Sequence, residues 1–347
     1  DATFLKGKLR FTVDVYQKYV KDLLQPKVKM PTTIGYGNGY QISYMNSGKM
    51  TNKGWEFRVD AVPFQNKDWR VGVYFNIAHN ENKITEMPDN YIEENYTFGN
   101  GNYAYRREEG RPMGSFYGYR YKGVYQNKDA TYARDIEGNV MKDISGNAIV
   151  MRNGSYTVAP GDAIYEDVNH DGVINQYDIV YLGNSNPRLT GGAGLNVSYK
   201  QFKLSAIFYG RYGQDVVNAT RLNNESMRGI DNQSTAVLRR WRNEGDQTDI
   251  PRALYGEGYN TLGSDRFVED ASYLRLKSLS FTYRLPKKAI QRWGFNNIDV
   301  YVTGYNLFTW TNYTGQDPEV KTENTYAKDT ATTPASIQLV AGFNLSF

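Results

Sequence analysis

The segment Asp167-Val-Asn-His-Asp-Gly-Val-Ile-Asn-Gln-Tyr-Asp178 holds the residue types and spacing that point most directly to chemistry. Oxygen-bearing side chains fall at loop positions 1, 3, 5, 9 and 12 and Gly172 at position 6, the spacing of an EF-hand-type calcium loop. Ca²⁺ takes six to eight hard oxygen ligands, and a chain wrapped round it needs the left-handed turn that glycine supplies. On this pattern Asp167, Asn169 and Asp171 ligate through their side chains, Val173 through its carbonyl and Asp178 through its carboxylate. Ile174 would pin the loop to its surroundings. The rival reading is an Asp/Asn/Gly turn without a cation, and in either case the loop stiffens structure rather than catalyses.

Nothing else in the chain suggests a reaction. The two histidines, His79 and His170, have no nucleophile signature beside them, and neither HExxH nor GxSxG occurs, so no enzyme is expected. Gly35-Tyr-Gly-Asn-Gly39 does not lead from a strand into a helix and reads as a loop tip, not a phosphate cradle. Trp241, between Arg240 and Arg242, could stack on a ligand, but a short amphipathic helix over about 235–243 packed inside a loop is the better reading.

The elements that must carry these loops show in the alternation of side chains. Ile337, Leu339, Ala341, Phe343, Leu345 and Phe347 alternate with mostly polar or small residues, which gives a strand one apolar and one wettable face. Seven earlier segments repeat the pattern, around Leu9–Val15, Trp55–Ala61, Trp69–Ile77, Ala193–Tyr199, Phe202–Phe208, Leu279–Leu285 and Val300–Val302. The sixth changes phase near Lys277-Ser278, as a bulge would make it do. Short links (Pro63–Asp68, Lys200-Gln201, Pro286–Asn297) alternate strictly with long ones of about 30, 110, 60 and 25 residues. That is the signature of an antiparallel up-and-down transmembrane β-barrel, with short turns on the periplasmic side and long loops outside. The outer loops are expected at about 20–52, 81–188, 213–270 and 311–335.

Composition is compatible. There is no cysteine, so no disulfide framework or thiol metal site. No apolar run approaches the roughly 18 residues of a spanning helix. Thirty tyrosines, 15 Phe and 5 Trp suit aromatic girdles and equally suit sugar- or peptide-binding loops. The net charge of +4 forms no basic stripe, so no nucleic-acid partner is expected. Asp14, Glu56, Arg58, Asp60 and Asp299 all fall on the polar face, the lumen. Facing hydrocarbon, a midplane Arg or Lys would cost roughly 2–4 kcal/mol. Eight strands with a loop of about 110 residues fit a piece of a larger barrel better than a small closed one. The first and last strands should therefore not pair with each other, and Leu9–Val15 should pair with a strand outside this sequence.

Several motifs carry a resemblance. Asn46-Ser-Gly-Lys-Met-Thr-Asn-Lys-Gly-Trp-Glu56 resembles the N-x-G-x-x-x-N-K-G-x-E signature of SusC/RagA-type TonB-dependent transporters. So do Gly110–Tyr119, Lys122–Tyr125, Gly161-Asp162, Leu182–Pro187, Tyr273–Ser280, Gly304–Trp310 and Gly315–Glu319, in this order along nearly the whole chain. The resemblance implies about the last eight strands of a 22-stranded barrel, with the plug domain, TonB box and earlier strands outside this sequence. It implies a Bacteroidetes-type outer membrane and TonB-dependent import of oligosaccharides or peptides. It also implies a SusD-like surface lipoprotein as a lid, and it allows a dimer of transporter–lipoprotein units in outer-membrane lipid. The alternatives are a passive porin or adhesin barrel and, behind these, a soluble β-rich sugar-binding protein.

Overall fold

The computed structural model describes residues 1–29, 41–87, 101–104, 107–320, 322–323 and 326–347. The Gly35–Gly39 loop tip lies outside them. All eight expected strands are present in one antiparallel sheet, together with a short one at the start. In chain order they are β1 (Ala2–Phe4), β2 (Leu9–Lys21), β3 (Lys49–Gln65), β4 (Trp69–Glu86), β5 (Leu189–Tyr199), β6 (Phe202–Tyr212), β7 (Tyr273–Arg284), β8 (Asn297–Thr311) and β9 (Gln338–Ser346). Each pairs only with its sequence neighbours, so the sheet is a pure meander.

One expectation needs correcting: β2 finds its outer partner within the chain. Thr3 lies opposite Arg10 and Phe4 opposite Leu9, across a tight turn in which Leu5, Lys6 and Gly7 all have positive φ. Three residues gave too little alternation to read as a strand. Beyond Phe11, β2 has no outer partner among the described residues, and β9 pairs with β8 alone. The first and last strands do not meet.

Register turns the alternation of single strands into rows across the sheet. One apolar row runs Val71, Val197, Leu204, Phe281, Val302, Ala341. The next runs Trp69, Tyr199, Phe202, Tyr283, Val300, Phe343. In the second, Trp69 and Tyr199 have ring centroids 4.3 Å apart, and Phe202 and Tyr283 4.9 Å, which makes an aromatic band at the short-turn end. Phe208, Phe308 and Trp310 form a stacked group toward the long-loop end. From Val300 to Trp310 the strand runs roughly 33 Å, which a barrel tilt of about 40° reduces to about 25 Å, the height of a membrane-facing band.

The opposite face is polar: Gly72, Asn196, Ser205, Ser280 and Thr303 share a row. On this face Arg58 pairs with Asp60 at 2.7 Å and Arg284 with Asp299 at 2.7 Å. Tyr74 lies flat over Gly194 and Tyr301 over Gly342, so close that a Cβ at either glycine would overlap the ring. The glycines are there to let aromatic rings lie against the backbone.

The expected bulge interrupts the ladder in β7, and the β3–β4 pairing also shifts register at Lys49/Met50 and between Ala61 and Phe64. Pairing of β7 skips Lys277 against both β6 and β8, and Asn306 opposite it takes φ +53°. The phase change brings the side chain of Lys277 to the same carboxylate as that of Arg275, Glu319.

Candidate binding cap and calcium-type loop

The long links are folded. In their described residues (101–104, 107–188, 213–272, 312–320, 322–323 and 326–337) three of them build one body at the end of the sheet, and the largest buried clusters among the described residues lie in it. Ser115–Gly118 pairs with Val180–Asn184, and Tyr121–Val124 with Ala163–Tyr165. A small mixed sheet joins the other two links: Val268–Asp270 lies antiparallel to Asp215–Asn218, which runs parallel to Tyr326–Asp329. This cap was not legible from alternation, because its strands are two to five residues long.

Its core is built of tyrosine. Tyr117, Tyr119, Tyr125, Tyr165 and Tyr259 pack with Ile174, Ile179 and Leu262 in one cluster. Tyrosine suits such a small interior because the ring fills space while the hydroxyl reaches a partner. The Tyr103 hydroxyl donates to the Ser264 carbonyl, and that of Tyr117 to Glu108. Burial pushes the Tyr125 phenol up to about 12 and holds that of Tyr165 well above its ordinary value, and the Tyr165 hydroxyl accepts from the Leu262 N–H at 3.1 Å. The tyrosine excess therefore serves the cap interior as well as the girdles. The motif Gly110–Tyr119 supplies the centre, with Phe116, Tyr117 and Tyr119 at 0–1% exposure.

Ionic groups lock the links to one another. Asp162 is fully buried and accepts from Arg252 Nε at 2.7 Å, from the Tyr156 hydroxyl at 2.7 Å and from the Ala159 N–H at 2.9 Å. Arg266 pairs with Glu225 at 2.7 Å, both nearly buried, its guanidinium 4.9 Å from the Phe267 ring centre. The Gly315–Glu319 motif bends back to the wall: Glu319 accepts from Arg275 at 2.8 Å and from the bulged Lys277 at 2.7 Å. Trp241 is buried with its ring against Gly161, so it packs inside the loop as expected, but the expected helix over about 235–243 is only a 3-10 turn at Thr235–Arg239 that stops short of Trp241.

The Asp167–Asp178 loop is seated on this cap. Gly172 takes φ +78° as the spacing requires, and Ile174 is fully buried. Asp167 accepts from the N–H groups of Asp171 at 3.2 Å and Gly172 at 2.8 Å, and Asp171 from that of Val173 at 2.8 Å. Asn169 donates to Asp171 at 2.9 Å. These three stand at the rim. Asp178 is fully buried and caps a short 3-10 turn, taking the N–H groups of Val168 and Asn175 at 2.8 Å each. Burial raises its carboxyl above the usual range although those N–H groups pull the other way. The Val173 carbonyl accepts from Asn175 at 3.1 Å. The donor chemistry suits Ca²⁺, but among the described residues no three acidic or imidazole side chains converge on one point. His170 holds φ +56° beside the Arg134 carbonyl, and His79 Nδ1 donates to the Arg188 carbonyl at 2.6 Å.

Comparison with known proteins agrees with this architecture. No protein-family model matches the chain. It is 31% identical over 331 residues to TonB-dependent receptor P3 of Formosa agariphila, a match covering 93% of this chain and 30% of that protein. It is 28% identical over 356 residues to TonB-dependent receptor SusC of Bacteroides thetaiotaomicron, covering 100% and 31%. Among solved structures, the RagAB peptide transporter superposes with a TM-score of 0.72 at 26% identity, over 99% of this chain and 34% of that one. The chain thus spans about a third of the length of the curated relatives it matches. Those relatives are named as receptors and transporters, not enzymes. By sequence and by fold, the chain is similar along nearly its whole length to part of the TonB-dependent receptors of the SusC and RagAB type.

Proposed function

We propose that this chain forms wall and outer loops of a TonB-dependent importer in an outer membrane, with the long-loop end outside. The observation that carries the proposal is the match along 93–100% of the chain to named TonB-dependent receptors, in a sheet with one apolar and one polar face. The apolar rows meet lipid and the polar rows line the passage. Cargo is an oligosaccharide or a peptide; the likeness to the RagAB peptide transporter supports the peptide class. A SusD-like lipoprotein closes over the cap. In support, the cap leaves Ile136, Ile144, Ile230, Leu238 and Tyr255 exposed, together with Val168 and Tyr177. Deleting the full-length gene should abolish uptake of one cargo class, and deleting TonB should do the same. Uptake that survives loss of TonB would identify a passive porin instead.

The calcium-type loop enters the same proposal as a structural site. Asp167, Asn169, Asp171, Val173 and Asp178 would hold Ca²⁺, which would draw these oxygen groups together and stiffen the cap. With chelator, or with Asp167 and Asp171 both changed to Ala, proteolysis of the full-length protein should increase between about Tyr125 and Asn186 while the wall stays intact. Identical cleavage with and without Ca²⁺ rejects the site.

A further inference from the structure

The apolar face of the wall is not evenly filled. In the row Phe57, Ile77, Gly191, Gly210, Leu274, Trp310, two glycines stand directly opposite each other in the middle. Neither position has room for a side chain. A Cβ on Gly191 would sit 2.6 Å from the Asn76 carbonyl oxygen, and one on Gly210 2.7 Å from that of Tyr273. The gap is therefore set by the backbone. Around it the wall is tall: Phe75 and Phe208 stand in the adjacent row, and Ile77, Leu274 and Trp310 flank the glycines. Together they line an open hollow of about 560 Å³, within the range of ligand pockets, about 300–1,000 Å³. At its long-loop end the lining turns polar, with Ser272, Thr311 and Asn312.

We infer that this hollow is a seat for one lipid acyl chain, with the lipid's polar head at the long-loop end. The inference rests on the wall standing in a bilayer, as proposed above. An apolar void at such a face loses dispersion contacts along its whole lining, and water finds no polar partners on a floor flanked by Phe, Leu and Trp. An acyl chain supplies those contacts, and the polarity gradient from Phe75 to Asn312 matches that of a lipid. A second copy of the chain is the competing occupant, since a glycine floor also admits a neighbour's side chains.

The test uses the full-length protein in vesicles containing a phospholipid with a photoactivatable group in its acyl tail. Cross-links should concentrate on Phe208, Leu274 and Trp310 relative to Leu204 and Val302, which lie on the same face away from the hollow. Ala193→Phe, which fills the hollow from the adjacent row, should lower cross-linking there about tenfold, the factor that 1.4 kcal/mol represents, and leave Leu204 and Val302 unchanged. Trp310→Ala, which opens the rim, should also lower it and serves if Ala193→Phe does not assemble. Equal labelling of all five positions, or a hollow insensitive to both variants, overturns the lipid seat and leaves the membrane wall standing. Protein–protein cross-links at Leu274 and Trp310 assign the hollow to a second copy and overturn it too. No labelling at any of the five positions overturns the membrane reading itself.

Discussion

The wall and the cap use apolar side chains in opposite ways. In the wall, Val302, Leu204, Phe281 and Phe343 stand 38–67% exposed, and the sheet holds itself together through backbone pairing. In the cap, Phe116, Tyr117, Ile174 and Phe267 are at 0% exposure around cores of conventional type. One region relies on its surroundings to cover its apolar surface; the other covers its own. Evidence that a segment is buried or exposed therefore carries opposite meanings in the two halves.

The contrast is sharpest for two phenylalanines. Phe267→Ala removes a fully buried ring and leaves a cavity, so the cap should lose about 3–5 kcal/mol. Phe281→Ala on the wall leaves a gap that lipid chains fill, so only the transfer contribution remains, about 2 kcal/mol. Hydrogen exchange of the full-length protein should show residues 101–188 and 213–272 loosened in the first variant and the wall strands protected. Equal loosening in both would erase the distinction.

Adjacent residues provide the next comparison. Leu204 and Ser205 point to opposite faces of β6. Leu204→Arg should cost roughly 2–4 kcal/mol and reduce assembled barrel on an unboiled gel, while Ser205→Arg, facing the lumen, should assemble normally. If both assemble alike, the faces have been assigned wrongly.

Ion pairs give a smaller difference in the same direction as the phenylalanines. Asp162→Asn leaves Arg252 without a counter-charge in the cap and should cost about 2 kcal/mol, seen as earlier proteolysis of the loops. Asp299→Asn releases Arg284, whose side chain is 56% exposed, and should cost under about 1 kcal/mol. A large effect at Asp299 with none at Asp162 would reverse the roles assigned to lumen and cap.

The same difference explains what was legible in the sequence. Wall strands repeat a period of two over nine to eighteen residues against a uniform exterior, so pattern alone located all eight and even the bulge at Lys277. The three-residue β1 was too short to repeat. In the cap, order comes from contacts between distant segments: Gly118 packs against Gly263, and Arg252 reaches Asp162. No local period encodes such pairings. Short motifs such as Gly161-Asp162 and Gly315–Glu319 marked the positions that matter without revealing that they are anchors. In the calcium-type loop, spacing foretold the turn at Gly172 and the inward Ile174, but not that Asp178 would spend both oxygens on backbone N–H groups.

The parallel pairing of Asp215–Asn218 with Tyr326–Asp329 sets an order of events. More than a hundred residues separate the two segments, so closing that contact carries a large chain-entropy cost and comes late. Until the last link arrives, Val216 and Val217 lack the partner that completes their sheet.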